Sequence, residues 1–376
     1  MPSVNKPTFL TLYGMTVERV FLLNLLRASV LRDTNYTVPG SMHWPSLIEE
    51  ADRQSVSVIA SDGLQKLYDA GVYSVSGDKE ERRTKAKWFA KTMKYEQRYA
   101  NQLAAAKKMG ESFAAAGIQT VILKGFTVSE CYPIPAHRYS ADLDCFLIKD
   151  GEHLRAYEQG NHIMEEQGLT VDRSFYKNSS FDFPGLHIEN HKFCTPFRGN
   201  KSLRRFEQLL QGLILAGPFS QFEDTGLLAP PPLASALFLT EHAYSHFLHE
   251  GLNLRHILDW ALFRRKHSSD VDWAAFDRYV DEFGFCRFYE AYTHLGEFVL
   301  GEREKGALTA PEQRMMDSVW AGLDLHESVK GFIGKMRLAG NTLRAGWKYR
   351  EFSPISMAKA LAIQVKGFLF ERNPVL

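Results

Sequence analysis

The chain has 376 residues, with 45 Lys or Arg against 44 Asp or Glu and a hydrophobic fraction of 45%. That length suffices for two or three units with sizeable cores. A net charge of +1 offers no bulk attraction to nucleic acid or to a membrane surface, and no uninterrupted apolar stretch reaches membrane-spanning length.

In chain order, apolar residues at helical spacing (Val20, Phe21, Leu23, Leu25, Leu26) predict a helix over residues 16–31. The opening Met1-Pro2-Ser3-Val4-Asn5-Lys6-Pro7 has no apolar core of the kind a signal peptide carries. A loop around Pro39-Gly40-Ser41 follows, and Pro45 suits the first turn of a second helix. A charged stretch, 78–87, leads into a long helix over 88–116, with Gly117 as its C-cap. The texture then changes. Thr120-Val121-Ile122-Leu123 is a short β-branched run broken by Lys124-Gly125; a helical piece to Tyr132, a Pro133-Ile134-Pro135 loop and a strand through Asp142 to Ile148 come next. A helix over 152–167 closed by Gly168 precedes strands over 170–176, 179–183 and 186–193. From Pro230-Pro231-Pro232 the pattern is helical again: 233–248, 255–265, 273–283 and 288–299. The expected fold class is α+β: an N-terminal helical region (1–95), a small β-containing core (96–200) and a C-terminal helical domain (201–376).

Four cysteines, Cys131, Cys145, Cys194 and Cys286, lie far apart without C-x-x-C spacing, which suits a reducing, cytoplasmic setting better than a disulfide framework. From Lys330 onward nine Lys or Arg face two Glu, read as the solvated face of amphipathic helices. Leu343-Arg344-Ala345-Gly346-Trp347-Lys348-Tyr349-Arg350 is read in the same way, leaving a nucleic-acid partner open but not indicated. The P-loop, the Gly-x-Gly-x-x-Gly fingerprint and the Gly-x-Ser-x-Gly elbow are all absent.

The chemistry concentrates on Asp142-Leu143-Asp144. Residues i and i+2 of a strand point the same way, and two carboxylates held that close are unfavourable unless a proton or cation sits between them. Downstream, Leu186-His187-Ile188-Glu189-Asn190-His191 alternates, with Leu186 and Ile188 on one face and His187, Glu189 and His191 on the other. If the two strands are neighbours, three carboxylates converge. Such a set suits divalent cations about 3.5–4 Å apart, used for displacement at phosphorus, with Mg²⁺ (or Mn²⁺) preferred by oxygen donors. The plain alternative is a charged strand edge. His191 could orient Glu189 or serve structurally, Lys124 could be an ordinary exposed lysine, and Arg138 could be spent on a salt bridge. His242 and His246, at i and i+4, with Asp259 offer a competing hydrolase-like metal set, although no Glu stands between them in support.

Leu123-Lys124-Gly125, Tyr132, Arg138, Asp142-Leu143-Asp144 and Glu189-Asn190-His191 resemble the uncharacterised nucleotidyltransferase family of the polymerase-β-like superfamily. The resemblance extends upstream to Trp44-Pro45-Ser46-Leu47-Ile48-Glu49-Glu50-Ala51 and downstream to His242, His246, Arg255 and Asp259. It implies a polymerase-β-like core, a small mixed sheet with helices, flanked by helical regions. It implies Asp142, Asp144 and Glu189 as catalytic metal ligands, and Lys124, Gly125, Arg138 and His191 as nucleotide-binding residues. The implied reaction is transfer of a nucleoside monophosphate from an NTP such as ATP to an unknown acceptor hydroxyl, with Mg²⁺ or Mn²⁺ as cofactor and no membrane partner. The chain departs from the superfamily at Gly125-Phe126, where Gly-Ser is usual, and at Ala141, where relatives often have Gly. Those departures motivate the alternative of a non-catalytic nucleotide- or partner-binding protein on the same fold.

Overall fold

The computed structural model describes residues 15–40, 42–75, 77–303, 308–322 and 345–370. The opening segment and part of the basic stretch beyond Lys330 therefore lie outside the described residues.

Helix α1 (Val17–Leu31) starts where the Thr16 hydroxyl accepts from Arg19 N, and α2 (Trp44–Arg53) carries the expected proline in its first turn. Helix α3 (Ser57–Asp69) lies against α1 so closely that a Cβ on Gly63 would stand 1.9 Å from Leu25 O; only glycine fits there. Helix α4 (Lys79–Ala114) begins earlier than its apolar spacing predicts. Asp78 caps it by accepting from Glu80 N and Glu81 N, and Glu81 is buried against the Tyr73 hydroxyl, so the charged run is helical.

The sheet begins with β1 (Gln119–Ile122), followed by the short α5 (Phe126–Ser129), a 3₁₀ turn at Pro135–His137, and β2 (Asp142–Ile148). Then come α6 (Leu154–Glu166), β3 (Asn178–Phe183), β4 (Leu186–His191), α7 (Lys201–Ala216), β5 (Ser220–Phe222) and β6 (Leu227–Ala229). The spatial order is β3-β4-β2-β1-β6-β5. Pairing is mixed: β2 runs parallel to β4 and β1 parallel to β6, while the other neighbours are antiparallel. The strand expected at 170–176 does not form. Phe175 is half exposed, and the backbone pairing of the segment with the sheet is the isolated Asp172–Ser180 bridge. The sheet also extends past residue 200, through two three-residue strands too short to carry a periodic signal.

One face of the sheet (Leu143, Cys145, Leu147, Ile188) packs on Met109 and Phe113 of α4 and on Met164 of α6. The other face (Val121, Phe146, Ile148) joins the main core, shared by the N-terminal helices and the C-terminal layer. That layer comprises α8 (Pro232–His249), α9 (Leu254–Lys266), α10 (Trp273–Glu282), α11 (Cys286–Leu300), α12 (Ala310–Ala321), α13 (Gly346–Phe352) and α14 (Met357–Phe370). Arg27 of α1 donates to Val299 O (2.8 Å) and Phe298 O (2.7 Å), satisfying the last carbonyls of α11. The architecture is α+β, with 14 α-helices and 6 strands among the described residues. Within those residues no helix is long and apolar enough to cross a membrane. All four cysteines are free.

Candidate functional site

The parallel register of β2 and β4 sets Asp144 directly opposite Glu189. Alternation turns Leu143 and Ile188 into the α4/α6 core and sends Asp144, Glu189 and His191 toward the C-terminal helices. One ligand atom from each of these three residues lies within 4.8 Å of the others, the only such group of three among the described residues. Nδ1 of His191 is 3.1 Å from Phe193 O and donates there, which leaves Nε2 facing Asp144 Oδ1 at 2.9 Å and Glu189 Oε2 at 3.5 Å. As an imidazolium it donates to the carboxylates; as the neutral tautomer it presents a lone pair to a cation. Asp142 lines the same cleft two residues upstream but is not part of the three-residue group.

The donor set fits a divalent cation. Asp144 is 1% exposed, and its Oδ2 is buried without a hydrogen-bond partner. The nearest cationic help for that oxygen is Lys124 Nζ at 3.6 Å. Burial pushes the Asp144 carboxyl up, but Lys124, His191 and His242 outweigh it and hold it well below the usual carboxylate range. Glu189 is also lowered: burial raises it and the Asp144 charge opposes its ionisation, yet the His191 bond prevails. Burial and Lys177 depress His191, and its bonds to Asp144 and Glu189 carry it above the usual imidazole value. Two ionised carboxylates and an orphaned oxygen in a dry setting are what a bound cation would satisfy.

Across a cleft of about 580 Å³ stand α8 and α9. His242 and His246 share a face of α8, and His242 Nε2 lies 3.0 Å from Lys124 Nζ, so the lysine donates to a neutral imidazole. Burial, Lys124 and His246 keep His242 far below its usual pKa. His256 is held neutral by burial and by Arg255, and completes a capping box at the start of α9. Lys177 and Arg255 also line the cleft, and Arg255 Nε is buried with no partner.

Arg138 sits elsewhere. Its side chain is fully buried, with Nε 2.6 Å from Asp259 Oδ1 and Nη2 2.8 Å from Asp259 Oδ2, a bidentate pair. Tyr132 donates to the same carboxylate at 2.7 Å, and the remaining Arg138 nitrogen donates to Gly125 O at 3.2 Å. Gly125 itself has φ +87°, a conformation that a side chain would strain. Arg138 is not among the cleft-lining residues; it fixes the turn that aims Lys124. Phe126, the residue after Gly125, packs on Tyr99 and Phe222.

The structure thus brings Asp142, Asp144, Glu189 and Lys124 to one cleft, sets the fully buried His191 behind Asp144 and Glu189, and leaves Arg138 behind the Gly125 turn. Asp259, grouped from sequence with His242 and His246, is spent on Arg138 and Tyr132, so that competing metal set does not assemble among the described residues. Sequence reasoning missed Lys177, Glu241 and His256. Lys177 falls between two expected strands, just before β3, and a Glu in an otherwise apolar helical run was the available signal for Glu241.

No curated protein and no solved structure matches the chain. Its sequence does match the profile of the family described as "Uncharacterised nucleotidyltransferase" over residues 40–301, a span holding β2, β4, α8 and α9 and hence both walls of the cleft. The chain belongs to the uncharacterised nucleotidyltransferase family.

Proposed function

We propose that this protein transfers a nucleoside monophosphate from an NTP to an acceptor hydroxyl in the cleft between β2/β4 and α8/α9. The observation that carries the reading is the buried Asp144–Glu189–His191 group, with an unsatisfied Asp144 oxygen, facing a cleft that also presents Lys124, Lys177 and Arg255. Asp144 and Glu189 would hold the cation, with Asp142 at the mouth and His191 ligating or orienting the carboxylates. Mg²⁺ suits the oxygens, and the imidazole shifts preference toward Mn²⁺. A cation there supplies charge neutralisation for the triphosphate.

The chain's own groups do the rest. Lys124 and Lys177 pair with phosphate oxygens, Arg255 adds donors from α9, and the neutral His242 holds the Lys124 ammonium in place. The Gly125 turn, braced by Arg138, sets where that ammonium points. In the step itself the acceptor O–H gives way to an O–Pα bond, the bond from Pα to its bridging oxygen breaks, pyrophosphate leaves and the acceptor proton is released. Catalysis is mainly positioning and charge neutralisation.

The test is binding and turnover of ATP with Mn²⁺ or Mg²⁺ in the wild type and in Asp144→Asn. Metal-dependent ATP binding and pyrophosphate release, both lost in the variant at unchanged melting temperature, support the reading. Binding without pyrophosphate release favours a nucleotide-binding protein, and no binding at all favours a partner-binding role.

A further inference from the structure

Helix α8 lines a second cavity with another of its faces. Glu241, Tyr244, Ser245, Leu248 and His249 recur at helical spacing and line a separate cavity of about 300 Å³ between α8, the 283–285 turn and α13–α14. Its body is mainly apolar, with Phe283, Phe285, Ile355, Ala360 and Ile363 facing it, and Arg198, Asn200, Asp281, Glu282 and Gln364 add polar groups to the lining. Its far side is closed by Tyr244, whose hydroxyl bonds Ser353 Oγ at 2.9 Å. This cavity adjoins the cleft, because Pro196, Glu241, Ser245 and His249 line both.

Glu241 stands at that junction, 2% exposed, and among the described residues its side chain makes no hydrogen bond or ion pair. A buried carboxyl without a partner is costly unless a ligand satisfies it. Burial raises it to a pKa of about 8, against the opposing pull of Lys177. No step of the nucleotidyl transfer described above uses it.

We infer that this cavity is the acceptor pocket, taking a small alcohol with an apolar or aromatic body whose hydroxyl is hydrogen-bonded by Glu241 at the edge of the nucleotide cleft. The inference rests on the nucleotidyl-transfer reading and names its acceptor class. The largely apolar lining favours an alcohol with an apolar body over sugars and polyols, which bury more hydroxyl groups. The junction residues let one end of the alcohol reach the cleft while its body stays behind α8.

The test uses 2-phenylethanol as probe, with ethylbenzene lacking the hydroxyl and glycerol lacking the apolar body, each followed by saturation-transfer NMR on the full chain. Expected are 2-phenylethanol binding in the wild type, weaker binding of ethylbenzene and none of glycerol. Ala360→Phe, which fills the cavity, abolishes the binding while ATP–Mn²⁺ affinity stays unchanged. Glu241→Leu weakens 2-phenylethanol about tenfold, whereas Glu241→Gln, still able to hydrogen-bond, changes it less than about threefold. With α-³²P-ATP, label passes to 2-phenylethanol and not to glycerol.

Equal binding to wild type and Ala360→Phe, equal binding of glycerol, or no binding of 2-phenylethanol at millimolar concentration overturns the inference with nucleotide binding intact. If the cavity variant does not fold, the Glu241→Leu and Glu241→Gln pair decides alone. Unchanged ATP–Mn²⁺ binding in Asp144→Asn would instead overturn the metal-dependent reading, and the acceptor role falls with it.

Discussion

The two walls of the cleft are built on opposite principles. The sheet wall concentrates acid: Asp142, Asp144 and Glu189 on neighbouring parallel strands, steadied by a buried imidazole. The helical wall carries neutral histidines and Arg255 on α8 and α9. The acidic wall depends on register and gathers a group of side chains that could hold a cation. The helical wall depends on burial, which strips its histidines of charge and leaves their nitrogens as hydrogen-bonding groups. On the proposed function, an anionic substrate with its cation would fit between them, because each wall lacks what that pair brings.

The comparison breaks most sharply at Asp144. Asp144→Ala should lower metal-dependent transfer by about 10⁴-fold in protein that still melts cooperatively. Asp142→Ala should cost markedly less, since Asp142 lies outside the three-residue group. Equal losses in a pyrophosphate-release assay would mean that both aspartates hold the metal, as the family resemblance implies.

Next comes the link between the walls. Asp259→Asn leaves the fully buried Arg138 without its counter-charge and should destabilise the fold by about 3–5 kcal/mol in urea titration. Although burial alone raises it, Asp259 is held below its usual pKa by Arg138. Its stabilisation is therefore present above about pH 4 and is lost as the pH falls through the depressed value. A wild-type acid-unfolding curve no steeper than that of the variant would contradict this.

Glu241 has the reverse sign. Its folded pKa of about 8 exceeds the usual 4.5, so the folded protein keeps a proton that the unfolded chain releases. Stability should fall as pH rises from about 4.5 through 8, by up to about 5 kcal/mol, and Glu241→Gln should flatten that slope in pH-dependent melting.

The smallest effect tests the cationic groups around the cleft. Lys177→Ala should raise KM for the NTP about tenfold with little change in kcat, the pattern of a phosphate contact that is equally strong in ground and transition states. A kcat loss without a KM change would place Lys177 on the leaving group instead.

Much of the acidic wall was legible because strand alternation is a two-residue rule. Asp142 and Asp144 had to share a face, as did Glu189 and His191, and Leu143 and Ile188 marked the face opposite. The β2–β4 pairing was not written locally, since 45 positions separate Asp144 from Glu189; there the family resemblance supplied the neighbour. The helical wall was half legible: His242 and His246 stood out by spacing, but their meaning depended on Lys124, 118 positions away from His242. Arg138 was read toward phosphate because nothing near it in sequence names Asp259. The 170–176 segment was read as a strand from composition, and the exposure of Phe175 shows what composition cannot weigh.

The Arg138–Asp259 pair has a mechanical consequence. It joins the Gly125 turn on the sheet side to α9 on the helical side, inside a region closed to water. Swinging α9 away from that turn would expose or orphan a guanidinium, at a cost comparable to much of a typical domain's stability. The corner behind the cleft is therefore braced, with α9 held against the Gly125 turn. Substrate exchange has to proceed through a standing opening or through smaller movements of side chains and loops, so turnover should be insensitive to crosslinks between α9 and the Gly125 turn.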